Sequence, residues 1–328
     1  MRYSHIGLIL LTFLLITAVS ACGAATPVIP SSPQPEASAP AATEALEVEG
    51  APTEEPTEAP EATPKEISTP DPVTVAEFWE LDPASFSNST VIDNVWMPLK
   101  PGTRWAHEGT ALDDEGNSFT RRIEFTVTNL TKEIAGVHTV VAWIVDYNDG
   151  EVVEKEIAFY AQDNDGNVWY FGEYPEEFVN GEFEKASPWI HGIANARAGI
   201  KMVAEPQLGM PSYYQGWGPE VDWSDYGQID QIGQETCVQV DCYTEVLVIA
   251  ESSLGEVDAY QLKYYASGVG EIRVGWRGED ASQEDLELVE FGQLNSGQLG
   301  EVTAMALHLE QHAYEISTEV YAQTSPAQ

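Results

Sequence analysis

The sequence predicts a mainly β domain: a curved antiparallel sheet or half-open barrel, laid out as a meander and ending in an α-helix. Three observations predict it. Runs of alternating residues recur between Thr103 and Phe291, Asp/Asn-Gly turns separate the early ones, and a stripe at helical spacing follows. Thr103 to Thr110 forms the first run, ending at the turn Asp113-Asp-Glu-Gly116. Arg122 to Asn129 alternates with period two and puts Ile123, Phe125 and Val127 on one face. Val137 to Tyr147 and Glu151 to Ala161 are joined by Asn148-Asp-Gly150, and Asp163-Asn-Asp-Gly166 leads into Asn167 to Gly172. Five consecutive strands linked by such turns make an antiparallel meander.

Asp163-Asn-Asp-Gly166 invites comparison with a calcium loop, in which acidic or amide ligands stand at positions one, three and five, glycine at six and glutamate at twelve. Ala161 and Gly172 occupy positions one and twelve here, so the loop reads as a turn, with Gly166 supplying a positive φ. Further strands are expected at Tyr243–Ala250, Val257–Ala266, Gly270–Arg277 and Asp285–Phe291. Tyr174 to Gln234, rich in Gly, Pro and aromatics, is expected to be a long irregular region. Asn295 and Gln298 are spaced as a capping box for a helix over 296–321. Val302, Ala306, Leu309, Ala313, Ile316 and Val320 form its apolar stripe, expected to dock on the sheet or plug one end of it.

Arg2 and His5 precede an apolar run from Ile6 to Val19, placed like a secretory signal core and short for a membrane span. Val19-Ser-Ala-Cys22 then resembles the lipobox of bacterial lipoproteins. The resemblance implies a signal peptide over 1–21, cleavage before Cys22, and lipid on that cysteine. Two or more acyl chains hold a protein on a membrane where one binds marginally. Residues 22–72 are mostly Ala, Pro, Thr, Ser and Glu, with too little apolar surface to fold, and read as a disordered stalk. Residues 73–328 are expected to be a single globular domain.

Of the chain's 14 basic and 54 acidic residues, Arg2, Lys65 and ten acids precede position 73. The domain therefore carries 12 bases against 44 acids, a net −32. That balance excludes nucleic acid as a partner and disfavours docking on anionic lipid. Cys237 and Cys242, five residues apart in an exported chain, read as a local disulfide. Zinc would need further ligands, and no histidine is near them in sequence.

No Gly-x-Ser-x-Gly elbow, phosphate-binding Gly-Lys-Ser/Thr loop or dinucleotide fingerprint is present. No catalytic residue and no cofactor is assigned. His308 and His312 lie one helical turn apart with Glu315 on the same flank, a candidate metal site weighed against a solvated polar face. Trp217, Glu220, Asp222, Trp223, Asp225 and Tyr226 interleave aromatic platforms with carboxylates, the chemistry that recognises sugars. These six are the candidate ligand-binding residues.

Three stretches carry a resemblance: Trp96-Met-Pro-Leu-Lys-Pro-Gly-Thr-Arg-Trp105, Tyr160-Ala-Gln-Asp-Asn-Asp-Gly-Asn-Val-Trp-Tyr-Phe-Gly-Glu173 and Tyr264-Tyr-Ala-Ser-Gly-Val-Gly270. They look like segments of uncharacterised bacterial secreted lipoproteins. The first and third are also similar to half-barrel envelope proteins of the lipoprotein-carrier type. The latter resemblance implies one curved sheet around an apolar interior; neither implies a reaction. The expected function is a lipid-anchored, extracytoplasmic binding or structural module of the cell envelope. Its partner would be the membrane through the N-terminal lipid, with a small molecule, glycan or envelope protein as ligand. The alternative is an envelope hydrolase of glycosidase type using paired carboxylates.

Overall fold

The computed structural model describes residues 78–328. The signal peptide (1–21), Cys22 and the linker to residue 72 lie outside the described residues. The first five strands are β1 (Thr103–Leu112), β2 (Ser118–Ile134), β3 (Val137–Asn148), β4 (Glu151–Gln162) and β5 (Val168–Val179). Next come β6 (Glu182–Ala186), β7 (Trp189–Ile190), β8 (Arg197–Met202), β9 (Tyr213–Gly218) and β10 (Trp223–Cys237). The series ends with β11 (Cys242–Ser253), β12 (Ala259–Ala266), β13 (Gly270–Gly278), β14 (Asp285–Gln293) and the helix α1 (Ser296–Ile316).

The predicted meander is present, and it closes. Each strand pairs antiparallel with the next in sequence, except that β6 and β7 pair only with β5 and lie outside the ring. The last strand returns to the first, from Thr103↔Gln293 to Thr110↔Asp285. The result is a twelve-stranded closed barrel rather than a half-open one. Closure pairs the backbone of what would be two exposed sheet edges.

The turns form as their residues require. Asp163 accepts hydrogen bonds from the Asp165 and Asn167 amides (3.0 and 2.8 Å), the Asn167 side chain (2.9 Å) and Trp169 Nε1 (2.8 Å). Gly166 sits at φ +90°, where a side chain would be strained. The Asp163 carboxylate is thus committed within its own turn.

The stretch Tyr174–Gln234 is not irregular. It holds the end of β5, all of β6 to β9 and most of β10. In β9, Tyr213-Tyr-Gln-Gly-Trp-Gly218, aromatics point to both faces and a glutamine points inward, so no apolar–polar alternation marks the strand.

Helix α1 starts as predicted. Asn295 Oδ1 accepts from the Gly297 and Gln298 amides (2.9 and 3.0 Å), and Gln298 Oε1 accepts from the Asn295 amide (3.1 Å). It buries Ala306, Leu309 and Ala313 against the outer face of β2, β3 and β4. It ends at Ile316, short of the expected 321. The Ser317 amide closes on the Ala313 carbonyl, and the chain turns so that Tyr321 tucks back and donates to Glu310 Oε1 (2.9 Å). Beneath it Lys132 of β2, fully buried, meets Glu310 Oε1 at 2.8 Å and the Ser325 carbonyl at 2.5 Å. Cys237 and Cys242 are joined where β10 turns into β11.

Candidate functional site

In a barrel, alternate residues of every strand face the lumen. Here that face carries an unusual number of charges. Lys201 (β8) pairs with Glu251 (β11) at 2.8 Å, and Gln215 (β9) donates to the same carboxylate at 2.7 Å. Burial alone would raise the Glu251 pKa; Lys201 and Lys263 outweigh it and hold the pKa below its ordinary value. Arg121 (β2) lies 2.5 Å from Asp146 and 2.6 Å from Glu284, although its Nε is poorly aimed at the latter for a hydrogen bond.

One wall of the lumen is acidic. Glu154 and Glu156 share the inward face of β4 with Ala158 and Tyr160, and Glu173 of β5 stands opposite Ala158. The small Ala158 leaves room for the Glu173 carboxyl to approach Glu156. The Tyr170 hydroxyl lies within reach of both, donating to Glu173 and standing 3.4 Å from Glu156 Oε1. Trp189 Nε1 donates to the second Glu173 oxygen at 3.0 Å. A phenol has one proton, so two adjacent carboxylates cannot both be satisfied unless one carries its own. Burial, reinforced by Glu173 and Glu154, pushes the Glu156 pKa well up. Burial with Asp146 nearby raises Glu154 to about 8.

Two cavities open at opposite ends of the lumen. The first, about 400 Å³, is lined by Asp113, Asp114, Asp225, Glu251, Glu256 and Asp280 together with Tyr260 and serines. Burial, with Glu251 adding to it, raises Asp225 to about 6.

The second cavity, about 200 Å³, has a different chemistry. Its walls are Met97, Pro98, Leu99, Trp105, Ile123, Phe125 and Ile144. Its polar groups are His107, Tyr160, Lys201, Lys263, Tyr265 and Glu271. These come from β1, β2, β3, β4, β8, β12 and β13, seven of the twelve strands, with the segment before β1 laid over the end. Asn94 pins that segment: its Oδ1 accepts from the Trp96 amide (2.9 Å) and its Nδ2 donates to the Gly166 carbonyl (2.9 Å). Trp105 Nε1 donates to the Val269 carbonyl (2.8 Å), and the Gly268 amide donates to the Val95 carbonyl (2.7 Å). His107 Nε2 lies 3.1 Å from the Glu271 carbonyl, and burial lowers the ring's pKa, so the imidazole is neutral with Nε2 as its donor.

The six residues expected to bind a ligand do not form one surface. Glu220 and Asp222 are exposed in the turn between β9 and β10. Trp223 stacks on Trp189 at 4.7 Å, and a Cβ on Gly216 would come within 2.7 Å of both rings, so glycine is needed there. Trp217 leans on Phe78 at 6.1 Å, and Tyr226 is buried. Asp225 lines the acidic cavity, where it accepts from Ser253 Oγ at 2.9 Å.

On α1, His312 Nδ1 lies 2.5 Å from Glu176 Oε1, a carboxylate buried in the outer barrel wall, so His312 does not belong to a freely solvated face. His308 and Glu315 are exposed. Among the described residues, no group of three or more His, Cys, Asp or Glu is placed to hold a metal.

Sequence reasoning passed over the polar groups of the second cavity. The signal was available. Trp105, Tyr160, Tyr265 and Gly270 all belong to the three quoted stretches, which the fold brings to one end of the barrel. Lys201 and Lys263 stand inside β runs of a domain with few bases.

No family model matches the chain, and no curated protein matches it. Two solved structures are similar to part of it. One is described as a lipoprotein from Parabacteroides distasonis ATCC 8503, with 14% identity and a TM-score of 0.32, covering 61% of this chain and 99% of that one. The other is described as an exported protein with a YmcC-like fold from Bacteroides fragilis NCTC 9343, with 10% identity and a TM-score of 0.33, covering 61% of this chain and 100% of that one.

Proposed function

We propose that this chain is a lipid-anchored, extracytoplasmic binding protein whose barrel takes a small amphipathic molecule into the cavity beneath Met97–Leu99. The single observation that supports it most is the make-up of that cavity: apolar walls on a partly open barrel end, with a few converging polar groups on its floor. A solid core would instead have supported a purely structural role. The signal core, the lipobox-like Val19-Ser-Ala-Cys22 and the stalk-like linker support export and tethering.

Glycoside hydrolysis by paired carboxylates is less well supported. Such a pair must flank a bound substrate. Glu156 and Glu173 line neither cavity, and the hydroxyl of Tyr170 and the indole of Trp189 occupy both oxygens of Glu173. The net −32 of residues 73–328 also argues against nucleic acid.

The test is uptake of a neutral apolar fluorophore, N-phenyl-1-naphthylamine. The wild-type protein is expected to enhance its fluorescence saturably, and Ile144→Trp, which fills the cavity, to abolish the enhancement. Equal enhancement by both proteins would overturn the proposal.

A further inference from the structure

The lumen contains two lysines in different states. Lys201 is paired, with Glu251 at 2.8 Å and Gln215 Oε1 at 3.2 Å. Lys263 lines the second cavity and makes no hydrogen bond or ion pair with any described residue. Burial alone would lower the Lys263 pKa; Glu271, followed by Glu284 and Glu251, outweighs it and holds the pKa above its ordinary value. Two of the three have closer partners. Glu284 lies against Arg121 at 2.6 Å, and Glu251 takes Lys201 and Gln215.

That leaves Glu271, whose carboxylate also lines the cavity without a hydrogen-bond partner among the described residues. The Tyr265 hydroxyl is in the same condition, on a side chain only 2% exposed. One cavity therefore holds an unpaired ammonium, an unpaired carboxylate and an unpaired phenol under a roof of Met97, Pro98 and Leu99. Polar groups gathered on the floor of an apolar, partly open cavity and not spent on one another are placed to hydrogen-bond a ligand that enters it.

The charge balance selects among ligands. With Lys201 matched by Glu251 and Arg121 by Glu284, the free charges of the cavity are one positive and one negative. A simple carboxylic acid would satisfy Lys263 but leave Glu271 facing an added negative charge. An amine would do the reverse. Uncompensated charge in such a site is strongly unfavourable. A head bearing both signs satisfies both groups at once.

We infer that the ligand is a small zwitterion with an apolar side chain, of the free aromatic or aliphatic α-amino-acid type. Its carboxylate accepts from Lys263 and Tyr265, its ammonium donates to Glu271, and its side chain packs on Trp105, Ile123, Phe125 and Ile144. This rests on the binding role proposed above and adds the identity of the head group.

The experiment is calorimetric titration of the full chain with L-phenylalanine, L-leucine, 3-phenylpropionate and 2-phenylethylamine. It is run beside N-phenyl-1-naphthylamine uptake on wild type, Lys263→Met and Glu271→Gln. At least one of the two amino acids should bind, tenfold or more tighter than either half-charged analogue. Each substitution should weaken it tenfold or more, with an unchanged far-UV circular dichroism spectrum and a cooperative thermal transition reporting that the variant is folded. If one variant fails to fold, the other and the analogue ranking decide. Tighter binding of 3-phenylpropionate, or undiminished amino-acid binding in a folded variant, overturns the inference. Probe uptake without amino-acid binding overturns it while sparing the binding role. Absence of both means that the binding role itself has failed.

Discussion

Glu154 offers a sharp test of how the lumen is held together. Its carboxyl lies on the inward face of β4 near Asp146, Glu173 and Glu177, with Arg121 the opposing charge. Burial and these acids raise its pKa from the ordinary 4.5 to about 8. The native state therefore binds this proton more tightly than the unfolded chain does. Stability from the group is full below about pH 4.5 and drains away as pH rises toward 8. At about 1.4 kcal/mol per pKa unit, the full shift corresponds to about 4–5 kcal/mol. Solvent at this half-buried carboxyl trims the usable figure to about 2–4 kcal/mol. Glu154→Gln keeps the shape and removes the titration. Urea denaturation at pH 5 and pH 8 should show the variant close to wild type at pH 5, and more stable by about 2–4 kcal/mol at pH 8. Asp146 and Asp225, each raised to about 6 by burial first, should add a decline in both proteins between about pH 4 and 6. A gain of equal size at both pH values, or wild-type stability that climbs toward pH 8, would refute the reasoning.

Leu309→Ala, at a site 4% exposed, should cost about 2–5 kcal/mol in thermal or chemical unfolding. His312→Ala should cost about 1–3 kcal/mol because it strips a partner from buried Glu176, and His308→Ala no more than about 0.5 kcal/mol. Lys132→Met leaves Glu310 buried without its cation and should cost about 3–5 kcal/mol. The double variant Lys132→Met/Glu310→Leu should recover much of that loss, and a double variant worse than the sum of its parts would contradict the pairing. Cys22→Ser should shift the protein from the membrane fraction to the soluble one or stall its processing; a cleaved variant that stays on the membrane would rule out the lipid anchor.

Much of this fold was readable from local pattern. Strands β1 to β5 and β11 to β14 announce themselves through alternation, and turns such as Asp163–Gly166 and the Asn295/Gln298 cap carry their chemistry in short range. Closure was not readable, because the pairing of Thr103 with Gln293 is a long-range event that no window contains. A polar lumen hid more. On β4, Glu154 and Glu156 point into the barrel while Ile157 and Phe159 point outward, fully buried in the outer wall. The usual rule would place those glutamates in solvent. The surroundings of the candidate ligand-binding stretch were not readable either. Trp217 to Tyr226 has the composition of a sugar site, but its indoles are spent on packing against Phe78 and Trp189. Lys263, Tyr265 and Glu271 meet across the β12–β13 hairpin, where Tyr265 pairs with Glu271, but the apolar walls that face them come from β1 to β3, far away in sequence.

The most direct test of a ligand-binding lumen is to see where a bound molecule sits. Methyl-labelled protein titrated with N-phenyl-1-naphthylamine and followed by NMR provides it. Resonances of Met97, Leu99, Ile123 and Ile144 should shift together and saturate, while Met305, Leu309 and Ile316 of the outer helix stay still. Shifts confined to Met305 and Leu309, with Ile123 and Ile144 unmoved, would place binding beside α1, outside the barrel, and contradict the account.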